Sequence, residues 1–278
     1  MNAKTILGWA TKVLTTTNKN ANIAYLALHY IDTNANLYLS GKPLSPKQQR
    51  LYQQAIKAYC EQDVPLAFFF GYTFFYNLKF YISKGCFLPR FETEQLVDEL
   101  LDYLQNLNIY PKQILDLCCG IGVIGVAIKK HFSFAEVTGI DHNQEALIMA
   151  KKTIKDLKLD LEFIHVSLQE FFPKKQYDLI VMNPPYISKN DYVEKSVLKN
   201  DPNDALFAKD DGYYFYKVLA TKIATFAKPN FIICLEIGRN QSKKILNIFK
   251  EKIIIIDKQI IKDYQGFSRI MIIRGKLK

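Results

Sequence analysis

The chain has 278 residues, 49% of them hydrophobic and 23% charged, which is enough apolar material for one large domain or two modest ones. Its longest apolar runs, such as Ile253 to Ile256 and Asn230 to Ile237, are too short for a bilayer, and residues 1–17 lack the apolar core and small-residue cleavage site of a secretory signal. The formal net charge of +10 comes largely from lysines scattered in pairs (Lys129-Lys130, Lys151-Lys152, Lys174-Lys175, Lys243-Lys244), the pattern of solvated helix faces and only weak grounds for expecting direct nucleic-acid binding.

Five cysteines, Cys60, Cys86, Cys118, Cys119 and Cys234, form no C-x-x-C pair, and no histidines cluster beside them. A disulfide framework and a zinc or other metal site are therefore not expected, and reduced thiols in the cytoplasm fit better. No internal repeat or low-complexity linker is present.

Residues 1–70 read as a small helical domain. Asn22 to His29 is apolar on most faces, and Leu37 to Leu39 runs into a break at Gly41 to Pro43. Ser45-Pro46 predicts an N-cap with proline at the first helical position, opening a helix over Lys47 to Glu61 whose apolar stripe is Leu51, Ala55, Ala58 and Tyr59. Nothing in this stretch carries chemistry, which suits a bundle that docks a substrate or braces a neighbour. Trp9 reads as its packing anchor and Phe68-Phe69-Phe70 as interdomain core.

Residues 71–87 change to an aromatic, β-prone texture, and predict a hairpin linker with its turn at Asn77 to Lys79. From residue 88 to residue 278 a third segment follows. A helix over Phe91 to Leu107 precedes strands predicted at Ile114–Leu117, Glu136–Ile140, Leu161–Val166, Tyr177–Met182, Asn230–Leu235, Lys252–Lys258 and Arg269–Arg274. Helical stretches at Val123–His131, Asn143–Leu157, Gly212–Phe226 and Gln241–Phe249 alternate with them, which implies a doubly wound α/β sheet. Only Gln259 to Ser268 separates the last two strands, too little for a helical crossover, so the seventh strand is expected to enter antiparallel.

Two stretches of this segment carry chemistry. In the first, Asp116-Leu117-Cys118-Cys119-Gly120-Ile121-Gly122 joins a strand to a helix, and Gly120 and Gly122 would let the backbone pass close to a ligand. The next strand ends at Asp141, where a carboxylate can bind a ribose diol. The glycine spacing also matches a dinucleotide fingerprint. Against that, Asp116 would repel a pyrophosphate, whereas it suits a cationic, amino-acid-bearing ligand such as S-adenosylmethionine. In the second stretch, Tyr177 to Met182 ends in Asn183-Pro184-Pro185-Tyr186. Prolines stop the strand and push Asn183 to an extended conformation. The stiff loop presents a side-chain amide and carbonyls without competing N–H groups, a site for a planar amide or an exocyclic amine. Taken alone, the proline pair would also serve simply to end a strand.

With both stretches in hand, the chain resembles the bacterial release factor glutamine methyltransferases, which modify the glutamine of the Gly-Gly-Gln loop of class 1 peptide chain release factors. The matching pieces include Leu88-Pro89-Arg90-Phe91-Glu92-Thr93-Glu94, Asp116 to Gly122, Asp141, Asn183 to Ile187, Asp201-Pro202, Leu235-Glu236-Ile237-Gly238 with Gln241, and Asp263, Gly266 and Arg269. The resemblance implies a class I, Rossmann-like, seven-stranded methyltransferase domain behind a small helical domain. It also implies S-adenosylmethionine as cofactor and methyl transfer to the side-chain N5 of that glutamine. The positions implied as cofactor-binding are Asp116, Cys118, Cys119, Gly120, Ile121, Gly122, Asp141, Leu168 and Asn183, and those implied as catalytic are Asn183, Pro184, Pro185 and Tyr186. In the implied mechanism the Asn183 side-chain oxygen and the Pro184 carbonyl accept the two N–H groups of the substrate amide, and Tyr186 packs on its plane.

Four positions depart from the family pattern: Cys118 replaces its first glycine, Phe91 a proline, Ser167 an acid before Leu168, and Asp201 a glutamate. His29, His131, His142 and His165 read as structural or solvated, and Glu236 as a brace at the sheet's switch region. Three other functions share parts of the pattern. A DNA adenine-N6 methyltransferase shares the loop chemistry but needs a target-recognition domain larger than the spare N-terminus. A ribosomal-protein glutamine methyltransferase differs only in N-terminal details, and a non-catalytic module would not need both loops.

Overall fold

The computed structural model describes residues 1–33 and 36–278; residues 34 and 35, within the stretch expected to be helical, lie outside the described residues. The chain divides into two compact units, Met1–Thr73 and Phe74–Lys278. The first is helical: α1 (Ala3–Thr16), α2 (Ile23–Ile31), α3 (Asn36–Ser40), α4 (Pro46–Gln62) and α5 (Leu66–Phe70). α4 opens on a complete capping box between Ser45 and Gln48 with Pro46 inside the first turn. Its buried stripe is Tyr52, Ala55 and Ile56, whereas Leu51 is 36% exposed, so the helix is turned one residue from the expected face. The Tyr52 phenol, fully buried, donates to the Ala24 carbonyl at 2.9 Å, which lets the larger aromatic take the core position.

A hairpin of β1 (Tyr72–Phe75) and β2 (Leu78–Tyr81) follows, turning at Tyr76 and Asn77 rather than one residue later. Both turn residues have positive φ, 52° and 57°, the geometry of the two-residue turn that matches strand twist.

The second unit continues with α6 (Phe91–Asn106), β3 (Gln113–Leu117), α7 (Val123–His131), β4 (Glu136–Asp141), α8 (Gln144–Leu157), β5 (Glu162–His165), β6 (Tyr177–Met182), α9 (Lys195–Asn200), α10 (Asn203–Leu206), α11 (Tyr214–Phe226), β7 (Ala227–Glu236), α12 (Ser242–Lys250), β8 (Ile253–Lys262) and β9 (Ser268–Leu277). Among the described residues β3 to β9 form one seven-stranded sheet, ordered β5-β4-β3-β6-β7-β9-β8. β9 runs antiparallel to both neighbours, because the short link from β8 leaves room for a hairpin and not for a crossover. Helices pack on the sheet, so Ile114 to Leu117 of β3, Leu179 to Met182 of β6 and Phe231 to Glu236 of β7 are buried without the alternation of a half-exposed strand. Leu117, Met182, Leu235 and Met271 pack with Tyr216, Leu219 and Phe249 on one side. The short helices α9 and α10 leave no mark in the sequence pattern, since neither is long enough to show a helical period. Among the described residues no helix is long and apolar enough to cross a membrane.

Candidate active site

Strand register places the site. Leu117, last of β3, lies between Ile140 of β4 and Met182 of β6, so the segments that follow these three residues emerge side by side. They are the glycine turn, Asp141 and Asn183 to Tyr186. The sheet order reverses between β3 and β6, the place where open α/β sheets hold ligands. A cleft there is lined by Cys118, Cys119, Gly120, Ile121, Asp141, Asn183, Pro184, Pro185 and Tyr186, together with Phe87, Pro89, Thr93, His142 and Asp204. An adjoining depression shares Cys118, Asp141, His142 and Asp204 and adds Val166, Ser167, Leu168, Gln169 and Phe207.

The turn is built by left-handed residues at Cys118 (φ 55°), Gly120 (φ 54°) and Gly122 (φ 81°). A Cβ at Gly120 would meet no atom within 4 Å, and this residue opens on the cleft. Gly122 lies off the lining; a Cβ there would fall 2.7 Å from the Phe163 ring, so its glycine serves the packing of the turn on β5. Cys118 holds a left-handed conformation without the freedom of glycine. Cys118→Gly is therefore expected to raise stability by about 0.5–1 kcal/mol, the left-handed penalty less glycine's extra unfolded-state entropy. Urea unfolding checks this, and a lowered midpoint would contradict it.

Asp141 is buried, its Oδ2 accepting from Gly120 N–H at 2.7 Å and its Oδ1 from Asn143 N–H at 2.8 Å. Burial pushes its carboxyl up, and the two N–H bonds oppose the shift. His142, whose sequence reading is structural or solvated, lines both parts of the cleft with Nε2 2.9 Å from Asp204 Oδ2. Its place directly after Asp141 was the available signal.

Asp116 is not on the lining. Its side chain points to the start of α7, where Oδ2 accepts from Gly125 N–H at 2.8 Å, and Oδ1 is buried with no partner among the described residues. One carboxylate oxygen of Asp116 thus braces the turn from beneath. Burial pushes the Asp116 carboxyl up to about 7, against the Gly125 bond and with help from Asp141. A carboxyl raised above its unfolded value near 4 stabilises the fold fully below that value and loses the contribution as pH rises through the folded one. Hence the stability of wild type relative to Asp116→Asn falls between about pH 4 and 7, by up to about 1.4 kcal/mol per unit, and levels off above. Parallel denaturation curves for the two proteins across this range would contradict it.

Behind the Asn-Pro-Pro-Tyr loop lies a polar network contributed by α6, β7 and β9. Asn183 Nδ2 donates to Thr93 Oγ1 at 3.1 Å, and Thr93 donates to Glu236 Oε2 at 2.7 Å. The Tyr186 hydroxyl donates to Glu236 Oε1 at 3.1 Å and accepts from Arg269 at 3.3 Å. Burial raises the Glu236 carboxyl, while Thr93, Tyr186 and Arg269 pull it back. Gln241 donates to the Tyr186 carbonyl at 2.9 Å, fixing the loop from its far side. Arg90 pairs with buried Asp201, which also accepts from Leu88 N–H at 3.1 Å, so the segment leading to Thr93 is anchored. Glu236, a brace at the sheet's switch region by its place in the sequence, is bonded directly to the loop.

The cleft suits an elongated ligand with a diol at Asp141, a turn free of side-chain obstruction at Gly120 and an apolar end at Leu168. Residues 94–203 match the methyltransferase small domain family model. The release factor glutamine methyltransferase of Fusobacterium nucleatum is 30% identical, over 89% of this chain and 70% of that protein. The one from Thermodesulfovibrio yellowstonii is also 30% identical, over 86% of each. Among solved structures, a T. thermophilus 16S rRNA methyltransferase in complex with AdoMet and guanosine superposes with a TM-score of 0.53 at 16% identity, over 74% of this chain and 50% of that one, a likeness of fold. With this cleft, this sheet order and relatives matched along most of their length, the chain belongs to the release factor glutamine methyltransferase family.

Proposed function

We propose that the chain transfers a methyl group from S-adenosylmethionine to the side-chain N5 of the glutamine in the Gly-Gly-Gln loop of a class 1 peptide chain release factor. The observation that carries this is the single cleft in which Asp141 and the glycine turn face the same space as Asn183 to Tyr186. S-adenosylmethionine supplies an electrophilic methyl group on a sulfonium. Asp141 would hold its ribose diol, the backbone at Gly120 would pass its amino-acid end, and Leu168 would flank its adenine.

An amide nitrogen is a poor nucleophile, its lone pair being delocalised into the carbonyl. Asn183 Oδ1 and the Pro184 carbonyl each accept one N–H of the substrate amide, and Tyr186 covers its plane. Such positioning can supply roughly 7–11 kcal/mol of a barrier, so no strong base is required. Both acceptors also stabilise positive charge as it develops on the nitrogen.

The helical unit exposes Tyr25, Leu26 and Leu39, apolar surface available to a protein substrate, and we assign docking to it. All five cysteines are free thiols, which suits a cytoplasmic enzyme. The proposal is tested with labelled S-adenosylmethionine and, in parallel, a class 1 release factor, its Gln→Ala variant in the Gly-Gly-Gln loop, ribosomal proteins and duplex DNA. Label on the wild-type factor alone is expected; label on DNA or on a ribosomal protein would replace the assigned substrate.

A further inference from the structure

We propose that Thr93 and Glu236 decide which end of the Asn183 carboxamide faces the cleft, and so act as positioning residues for the amide methylation proposed above. Proton counting leads to this. Arg269 has only donors to offer, and its guanidinium lies 3.3 Å from the Tyr186 hydroxyl oxygen. That oxygen accepts, so the single phenolic proton goes to Glu236 Oε1, 3.1 Å away. Arg269 cannot swing off, because Asp263 Oδ2 accepts from its Nε at 3.1 Å and the Ile237 carbonyl from the same terminal nitrogen at 3.2 Å.

The other carboxylate oxygen, Oε2, takes the one proton of Thr93 at 2.7 Å. Toward Asn183, Thr93 Oγ1 can then only accept. At 3.1 Å an acceptor selects Nδ2 of the carboxamide, and Oδ1 is left for the cleft. An inverted carboxamide would present N–H groups to the N–H groups of the substrate, and the acceptor that holds the reacting nitrogen would be gone. The two ends of an amide are nearly equal in size, so packing alone does not choose between them; hydrogen bonding does.

Glu236→Gln is nearly isosteric and reverses the count. Tyr186 must still donate, so the glutamine oxygen stays on Tyr186 and its –NH2 faces Thr93. The Thr93 proton then turns to Asn183, selects Oδ1 and inverts the carboxamide. Thr93→Val removes the hydroxyl and leaves both orientations open, whatever stands at position 236.

The test is a double-mutant cycle on the full chain with a release factor as substrate. Expected are a kcat about 100-fold lower for Glu236→Gln, the scale of losing one preorganised contact to the reacting group, and about tenfold lower for Thr93→Val. The double variant should fall only about tenfold, recovering most of the Glu236→Gln loss, since the misdirecting hydroxyl is gone. KM for S-adenosylmethionine should stay within about threefold throughout, and Thr93→Ser should restore near wild-type kcat. A double variant as slow as Glu236→Gln or slower, or a near wild-type Glu236→Gln, would overturn the proposal, because removing a second brace from one hydrogen-bonded network leaves the first loss in place or deepens it and does not reverse it.

A second measurement needs no substrate. In 15N-asparagine-labelled protein, with the Asn183 signal identified by its loss in Asn183→Ser, the side-chain NH2 protons should show cross-relaxation to Thr93 in wild type. Glu236→Gln should abolish it, and persistence of the contact would overturn the proposal. Absence of wild-type turnover on any release factor would refute the substrate assignment, and the cross-relaxation result would still decide the orientation.

Discussion

Asn183→Ala lowers methyl transfer about 1,000-fold while S-adenosylmethionine binds within about threefold of wild type; the rate loss is that expected for removing a positioned acceptor from the reacting amide. Asn183 follows Met182 directly at the carboxyl end of β6, and Pro184 holds it extended, so its Cβ has one direction in which to point. Truncation removes the acceptor and the bond to Thr93 without touching the glycine turn, Asp141 or Leu168. Binding and chemistry should therefore separate. Calorimetric titration of the cofactor and single-turnover kinetics measure the two, and equal losses in both would mean that Asn183 serves the cofactor rather than the substrate.

Asp141→Ala has the opposite signature. The carboxylate offers its remaining lone pairs to the cleft while both oxygens brace backbone N–H groups, Gly120 on the turn and Asn143 at the cap of α8. Alanine removes the acceptor for a diol and frees the turn at once. Two charge-assisted hydrogen bonds at about 1.5–3 kcal/mol each correspond to a cofactor affinity lowered about 100-fold or more. Saturating cofactor should restore much of kcat. The same titration checks it, and an affinity within threefold of wild type would remove Asp141 from the cofactor site.

Much of the fold is legible from residue order because each inference rests on local physics. The proline pair beyond Asn183 stops a strand, the glycine turn marks a strand–helix junction, and the short link before Ser268 forces the antiparallel last strand. The part that escapes depends on neighbours far apart in the chain. Thr93, Glu236 and Arg269 come from α6, β7 and the start of β9, and their shared bonding to the Asn-Pro-Pro-Tyr loop exists only once the sheet is assembled. Asp116 and Gly122 lie off the cleft lining for a related reason. Residue type suggested a ligand contact for each, but strand alternation turns Asp116 to the start of α7, and the partner of Gly122 is the Phe163 ring. In α4, stripes at Leu51 and at Tyr52 both have helical spacing, and the buried carbonyl of Ala24 favours the tyrosine.

Site-resolved mass spectrometry of a class 1 release factor, incubated with the full chain and S-adenosylmethionine, tests the central claim most directly. One methyl group on the side-chain nitrogen of the Gly-Gly-Gln glutamine, absent with Asn183→Ala, is the predicted result; a methyl group on any other residue, or an unmodified factor in the presence of bound cofactor, would contradict it.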